Sequence, residues 1–264
     1  MVFPTVSELS DRLFQVITDD FDRTFRGFLD GSDVIKTDKY LLAQTGVDHP
    51  IGNLLVVRDP EDSATVAAAV DSLCSDEFPS AVVCLGPAGE GIEELLASRG
   101  FQLAENFPAM AANLTDVHLR DRTDGYTIQQ VGADADELWV DTMAEGYELP
   151  RAFVERIGPA VVASIAADDE EYRYYIGFHN DRAVATATII IREGIVGVYN
   201  ISTIPDQRGQ GVGGFVTGEP LRLAAAEGYR TAILQASQMG EPVYLRLGFK
   251  SYGEMPFYVR MPSS

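Results

Sequence analysis

The chain has 264 residues, 46% of them hydrophobic, enough to bury a core in each of two small domains. Its 40 acidic and 20 basic side chains give a net charge of -20, and only Lys36, Lys39 and Lys250 are lysine, so nucleic acid is disfavoured as a partner by phosphate repulsion. No apolar run reaches the roughly 18 residues of a membrane helix, and residues 1–10 have neither a basic start nor an apolar core, so a cytoplasmic protein with no membrane partner is expected, as a monomer or a homodimer.

Residues 6–28 repeat Leu9, Leu13, Val16, Ile17, Phe21, Phe25 and Phe28 at steps of three and four, an amphipathic helix pattern. Two short extended runs follow, 40–45 and 53–57. Asp62 or Ser63 then opens a helix to about Leu73, 81–85 reads as a buried strand, 91–98 as a short helix closed by Gly100, and 109–114 as the strand that completes the first half. Cys74 and Cys84 fall in apolar patterns and read as buried free thiols; His49, His118 and His179 fit no zinc spacing, so no metal is expected. The polar stretch 116–125 reads as a linker, which divides the chain into domains 1–118 and 124–264.

In the second half 126–131 alternates as a strand, and Asp134, Asp136 and Glu137 open a helix to about Gly146 with Trp139, Met143 and Tyr147 as its core stripe. Pro150 starts another helix, with Phe153, Ile157, Val161 and Ile165 on one face. Residues 172–178, 183–191 and 195–204 form a three-stranded meander with turns at Asn180-Asp181 and Glu193-Gly194. The third strand runs into Arg208-Gly209-Gln210-Gly211-Val212-Gly213, and a helical pattern follows, interrupted by Pro220.

Strand, glycine turn and helix start make an anion site, because the first helical NH groups have no partner inside the helix and lie at the positive end of its dipole. No lysine follows the glycines, which excludes the nucleoside-triphosphate loop. Gly209, Gly211 and Gly214 also spell a dinucleotide fingerprint, but the next strand, 231–236, ends without the required acid. After that strand comes Pro242-Val243-Tyr244-Leu245-Arg246-Leu247-Gly248-Phe249 and a final strand around 257–260.

Together these stretches resemble the GNAT superfamily of acyl-CoA-dependent N-acyltransferases. Arg208, Gly211 and Gly213 fill its Arg/Gln-x-x-Gly-x-Gly/Ala pattern, and Tyr244, Gly248 and Phe249 its Tyr-x-x-x-Gly-Phe pattern; the resemblance covers about Gly125 to the C-terminus. It implies acetyl-CoA as cosubstrate, its pyrophosphate held by Arg208, Gly209, Gln210, Gly211, Val212 and Gly213. It also implies that Ile201, Ser202 and Thr203 lie on a strand end that splays from its neighbour and offers NH groups to the pantetheine and the thioester carbonyl. By the same resemblance Ser237 stands where the family often has asparagine, Tyr244 is expected to be the proton donor to the leaving thiolate, and Glu145, Tyr147 and Glu148 are expected to line the acceptor pocket. Val198, Tyr199 and Asn200 offer no glutamate as base, which leaves a water relay, Glu145 or Glu148.

Gly100-Phe101 precedes Pro108 by the interval that separates Gly248-Phe249 from Pro256, an internal echo. In the first half, however, Arg58-Asp59-Pro60-Glu61-Asp62 replaces the glycine loop, and no tyrosine matches Tyr244. The expected fold is α/β of the α+β type: two tandem GNAT-like domains, each a mixed, mostly antiparallel sheet flanked by helices, the first without a CoA site. The expected activity is acetyl transfer from acetyl-CoA to a primary amine by direct attack on the thioester. A non-catalytic acyl-CoA sensor is the alternative. The acidic surface fits either attraction of protonated amines or a high-salt cytoplasm.

Overall fold

The structure, a computed structural model, describes residues 34–60, 62–75, 77–118, 125–165 and 171–262. The helix expected over 6–28 lies outside them, as does most of the expected linker. The described chain divides into two compact units, Met110–Lys250 and the combination of 34–109 with 251–262. Each is a mixed, mostly antiparallel sheet flanked by helices.

The first unit begins with β1 (Val34–Lys36), β2 (Tyr40–Gln44) and β3 (Asn53–Val57), paired antiparallel in turn. Helix α1 (Ser63–Ser75) returns the chain to β4 (Ser80–Cys84), which runs parallel to β3 from Leu54 opposite Ala81 to Val57 opposite Cys84. Both strands are buried along their whole length, as the unbroken apolar run of a central parallel strand requires. Helix α2 (Glu90–Ser98) and β5 (Gln102–Asn113) follow. Leu55, Val57, Val66, Val70, Leu73, Val82, Ile92, Leu96 and Phe101 form the core. Cys84 lies in this core, where burial pushes its thiol up to about 12, whereas Cys74, expected to be buried, is partly exposed.

The second unit takes over within β5, whose Met110 and Ala112 pack into its core. It continues with β6 (Tyr126–Val131), α3 (Asp136–Tyr147), the short α4 (Arg151–Val154), α5 (Pro159–Ile165), the meander β7 (Glu171–His179), β8 (Arg182–Arg192) and β9 (Ile195–Thr203), then α6 (Val212–Ala226), β10 (Thr231–Gln235) and α7 (Glu241–Leu247). Its sheet order is β10-β9-β8-β7-β6, with the end of β5 beside β10. Both meander turns form at the expected residues, with Asn180, Asp181, Glu193 and Gly194 at positive φ, the mirror-image turns that suit strand twist. The core lies under α6, where Val196, Val198, Val212, Val216, Leu221, Ala232, Leu234 and Leu247 meet.

Three local expectations are corrected. The helix expected from Pro150 through Ile165 is broken: Gly158 is extended (φ -68, ψ 161) and α5 restarts at Pro159, because a residue before proline avoids the helical region and proline has no NH to continue the ladder. Tyr147 is no part of the α3 core stripe: Trp139 and Met143 are buried, but Tyr147 is 44% exposed. The chain's last strand, β11 (Lys250–Arg260), does not complete the second unit; from Ser251 it belongs to the first, antiparallel to β4 with Phe257 opposite Val83 and Arg260 opposite Ser80. There it supplies the second neighbour that the fully buried β4 needs for its backbone hydrogen bonds.

Candidate active site

The site is built where β9 parts from β10. These strands pair in parallel only from Thr231 opposite Ile195 to Ile233 opposite Gly197, although β9 runs on to Thr203. Beyond Gly197 the β10-facing edge of β9 has no ladder partner among the described residues. On its other edge β9 slips register against β8 between Thr188 (opposite Tyr199) and Thr186 (opposite Ser202). This is a β-bulge, with Asn200 in the left-handed region (φ 52). Buried hydroxyls and the half-buried Asn200 hold it: Thr186 Oγ1 donates to the Asn200 carbonyl (2.8 Å) and shares a hydrogen bond with Ser202 Oγ (2.7 Å), while Asn200 Nδ2 donates to Thr188 Oγ1 (3.2 Å).

After Thr203 the chain makes one turn, Pro205–Gln207, and enters the glycine loop. Gly209 and Gly211 adopt φ of 77 and 87, which a side chain would strain. Gly211 is the N-cap of α6 and offers no side chain to its NH groups. The first helical bond there is Phe215 N to the Gly211 carbonyl (3.1 Å), so the NH groups of Val212, Gly213 and Gly214 have no partner within the helix. Tyr126 braces the loop, its one hydroxyl proton shared between Gln207 Oε1 (2.7 Å) and Gln210 Oε1 (3.1 Å), with the His179 ring stacked on it at 4.2 Å, and Gln210 Nε2 donates to the Asp206 carbonyl (3.2 Å). The Gln210 side chain is therefore spent on the loop itself. Arg208 is also occupied: Nε donates to the Thr203 carbonyl (3.1 Å), and Nη2 to the Gly146 carbonyl (2.8 Å) and the Glu148 carboxylate (3.5 Å).

Tyr244 lies on α7, buried against Phe249 with ring centroids 5.9 Å apart. A Cβ on Gly240 would sit 2.9 Å from the Tyr244 ring, so the glycine one turn earlier is what lets the ring settle there. Withdrawal from water, and then the charge of a neighbouring Tyr147 phenolate, push the Tyr244 pKa well above the ordinary phenol value. Tyr147 itself is pushed up to about 12 by desolvation around its hydroxyl, although the residue as a whole is 44% exposed. Ser237 turns the chain into α7, its hydroxyl and carbonyl accepting from Gly240 N (3.1 and 2.9 Å) and its carbonyl from Glu241 N (2.9 Å). Glu145 and Glu148 lie at the end of α3, each facing an arginine: Glu145 is 3.4 Å from Arg182, which also holds Asp206 at 2.7 Å, and Glu148 is 3.5 Å from Arg208.

Residues 135–249 match the Acetyltransferase (GNAT) family. This segment is a GNAT domain. Solved structures agree on the fold. A GCN5-related N-acetyltransferase from Kribbella flavida aligns over 94% of this chain and 96% of its own at TM-score 0.63 and 18% identity. One from Sphaerobacter thermophilus aligns over 88% and 83% at TM-score 0.63 and 13% identity. A tandem GNAT protein from the clavulanic acid biosynthesis pathway aligns over 88% and 82% at TM-score 0.53 and 13% identity. The GNAT fold supports acyl-CoA-dependent acetyl transfer in general.

Sequence reasoning missed several residues of this GNAT domain. Thr186 and Asn200 shape the bulge, but hydroxyl and amide residues in a strand carry no local sign of one. Gly146 sits where α3 crosses β9 so closely that a Cβ would come within 2.6 Å of Ser202 Oγ. Gln235 alternates with Ala232, Leu234 and Ala236, which face the α6 core, and so points to the other face of the sheet just beyond the last β9–β10 pair. Its Nε2 is buried with no hydrogen-bond partner among the described residues. The alternation was legible, but the parting of the strands that gives it meaning was not.

Proposed function

We propose that the protein is an N-acetyltransferase that passes the acetyl group of acetyl-CoA to a primary amine by direct attack on the thioester. The observation that carries this reading is the parting of β9 from β10 after Gly197, beside a helix start with no cap of its own. The pyrophosphate is assigned to the NH groups from Gly209 to Gly213, favoured there by the helix dipole. The pantetheine arm and the thioester carbonyl are assigned to the unpaired edge of β9, including Ile201, Ser202 and Thr203, with Ser237 beside the arm. Glu145, Tyr147 and Glu148 form the acceptor side.

In the reaction a neutral amine nitrogen bonds to the thioester carbonyl carbon, and the carbonyl electrons move onto oxygen, where NH groups of β9 hold the oxyanion. Collapse breaks the carbon–sulfur bond, and the sulfur leaves with that electron pair. Tyr244 gives the departing sulfur its proton and recovers one from solvent, and the nitrogen loses its extra proton to water. The raised Tyr244 pKa keeps the phenol protonated, as an acid must be before it acts.

Calorimetry with acetyl-CoA, followed by assay of free thiol released with a panel of small amines, polyamines and peptide amines, tests the reading. Binding with amine-dependent thiol release is expected; no binding of acetyl-CoA to the folded protein would overturn it. Binding without release to any amine would instead favour an acyl-CoA sensor.

A further inference from the structure

Arg208 opens the glycine loop, and its charge invites assignment to a phosphate. Its actual partners point elsewhere. The last four carbonyls of a helix lack partners within it and lie at the negative end of its dipole. At the end of α3, Glu148 N turns back to the Glu145 carbonyl (3.3 Å) and Leu149 N to the Ala144 carbonyl (3.0 Å). The Gly146 carbonyl is taken by Arg208 Nη2 at 2.8 Å, while Nε of the same guanidinium holds the Thr203 carbonyl at 3.1 Å. One planar fork thus spans the end of α3 and the end of β9 at the point where a Cβ on Gly146 would meet Ser202 Oγ at 2.6 Å. Glu148, which ends α3 in the left-handed conformation (φ 57), adds a carboxylate 3.5 Å from the fork. To turn Nε or Nη2 to a pyrophosphate the guanidinium would have to give up these acceptors, while the NH groups at the start of α6 stand ready without it.

We infer that Arg208 is a positioning residue: it caps α3 from outside and locks the acceptor-side turn 145–149 to the strand end that leads into the cofactor loop. The inference rests on the acyl-CoA reading for the meaning of the two sides, while the lock itself rests on the Arg208 hydrogen bonds alone. It explains why arginine stands here. A lysine keeps the charge yet is a single point donor that cannot span two carbonyls in the same plane.

The test uses the full chain and two variants, Arg208→Lys and Arg208→Ala. Hydrogen exchange of amides 144–149 is read without ligand, and acetyl-CoA affinity by calorimetry at low and high salt. If Arg208 is the lock, both variants speed exchange in 144–149 by at least about fivefold, the effect of losing a charged partner at a helix end. Acetyl-CoA affinity then stays within about threefold of the parent with the same salt dependence, because no phosphate contact is lost. Arg208→Lys retaining affinity while Arg208→Ala loses about tenfold or more, with a shallower salt dependence, would make Arg208 a phosphate ligand and overturn the inference. So would unchanged exchange in both variants. If the parent protein fails to bind acetyl-CoA, the functional reading falls, while the exchange measurement still decides the lock. Arg208 is one-third exposed, and the lysine variant keeps its charge, so it serves as the folded control if the alanine variant does not fold.

Discussion

The two units carry the same passage of hairpin, strand, helix, parallel strand, helix and glycine turn, and they differ at three points of the proposed acyl-CoA site. In the first unit β3 and β4 stay paired to their ends, and the Leu85 N to Val57 carbonyl bond (2.8 Å) closes the pair beyond them; in the second, β9 leaves β10 after Gly197. The start of α1 is capped by its own acid, Asp62 accepting from Thr65 N (3.1 Å) and from the Thr65 hydroxyl; the start of α6 is a bare glycine. The two Gly-Phe turns match bond for bond, Phe101 N reaching the Leu96 carbonyl and Phe249 N the Tyr244 carbonyl, both at 3.0 Å. Leu96 therefore stands where Tyr244 stands, with no proton to give. The comparison teaches that the shared scaffold is the inexpensive part: a paired edge, a carboxylate and an aliphatic side chain suffice to close a site on it. We propose on this basis that the first unit is a degenerate GNAT-like copy.

The largest effect is expected at the third point. Tyr244→Phe keeps the ring against Phe249 and removes the proton, so kcat should fall by about 10² to 10⁴ while acetyl-CoA affinity holds. A variant retaining more than about half of the parent kcat, under conditions where chemistry limits, would make Tyr244 as passive as Leu96. The raised pKa adds a sign. Tyr244 stays protonated through the ordinary tyrosine range near pH 10, so its ionisation should cause no fall in kcat below that value. Above it the unfolded chain loses a proton that the folded one keeps, and stability should decline with rising pH.

Next comes the helix start. Gly211→Val puts a β-branched side chain at φ 87 and in the way of a bound phosphate, so acetyl-CoA affinity should drop by about 10². Calorimetry of the parent should count one acetyl-CoA per chain; two equivalent sites would erase the contrast between the units. A middle-sized effect is expected at Gly146, where Gly146→Ala would force α3 away from Ser202 and cost about 1–3 kcal/mol of stability by overpacking, read from denaturant unfolding. The smallest belongs to the first unit. Hydrogen bonds from Thr65 hold the Asp62 carboxyl below its usual range. Its stabilisation is then present above the ordinary carboxylate pKa near 4 and lost as the pH falls through the lowered value. Asp62→Ala should lower the melting temperature at neutral pH, and the gap should close in acid.

The sequence by itself determined what depends on neighbours along the chain. Positive-φ glycines, mirror-image turns, alternating strands and the Tyr244-to-Phe249 turn are set by backbone sterics and side-chain period within a few residues, and they placed the glycine loop and Tyr244 correctly on their elements. Tertiary structure alone decided whatever depends on partners far away in the chain. That β11 serves β4 rather than its own half follows from which buried strand needs a neighbour, and no local pattern records such a need. The bulge at Asn200 rests on hydroxyls of a separate strand, and the orphaned amide of Gln235 acquires meaning only because β9 turns away from it. The charge of Arg208 was plain in the sequence, but its use was not, because a guanidinium bonds to whatever carbonyls the fold brings within reach, and one of these ends a helix 62 residues earlier.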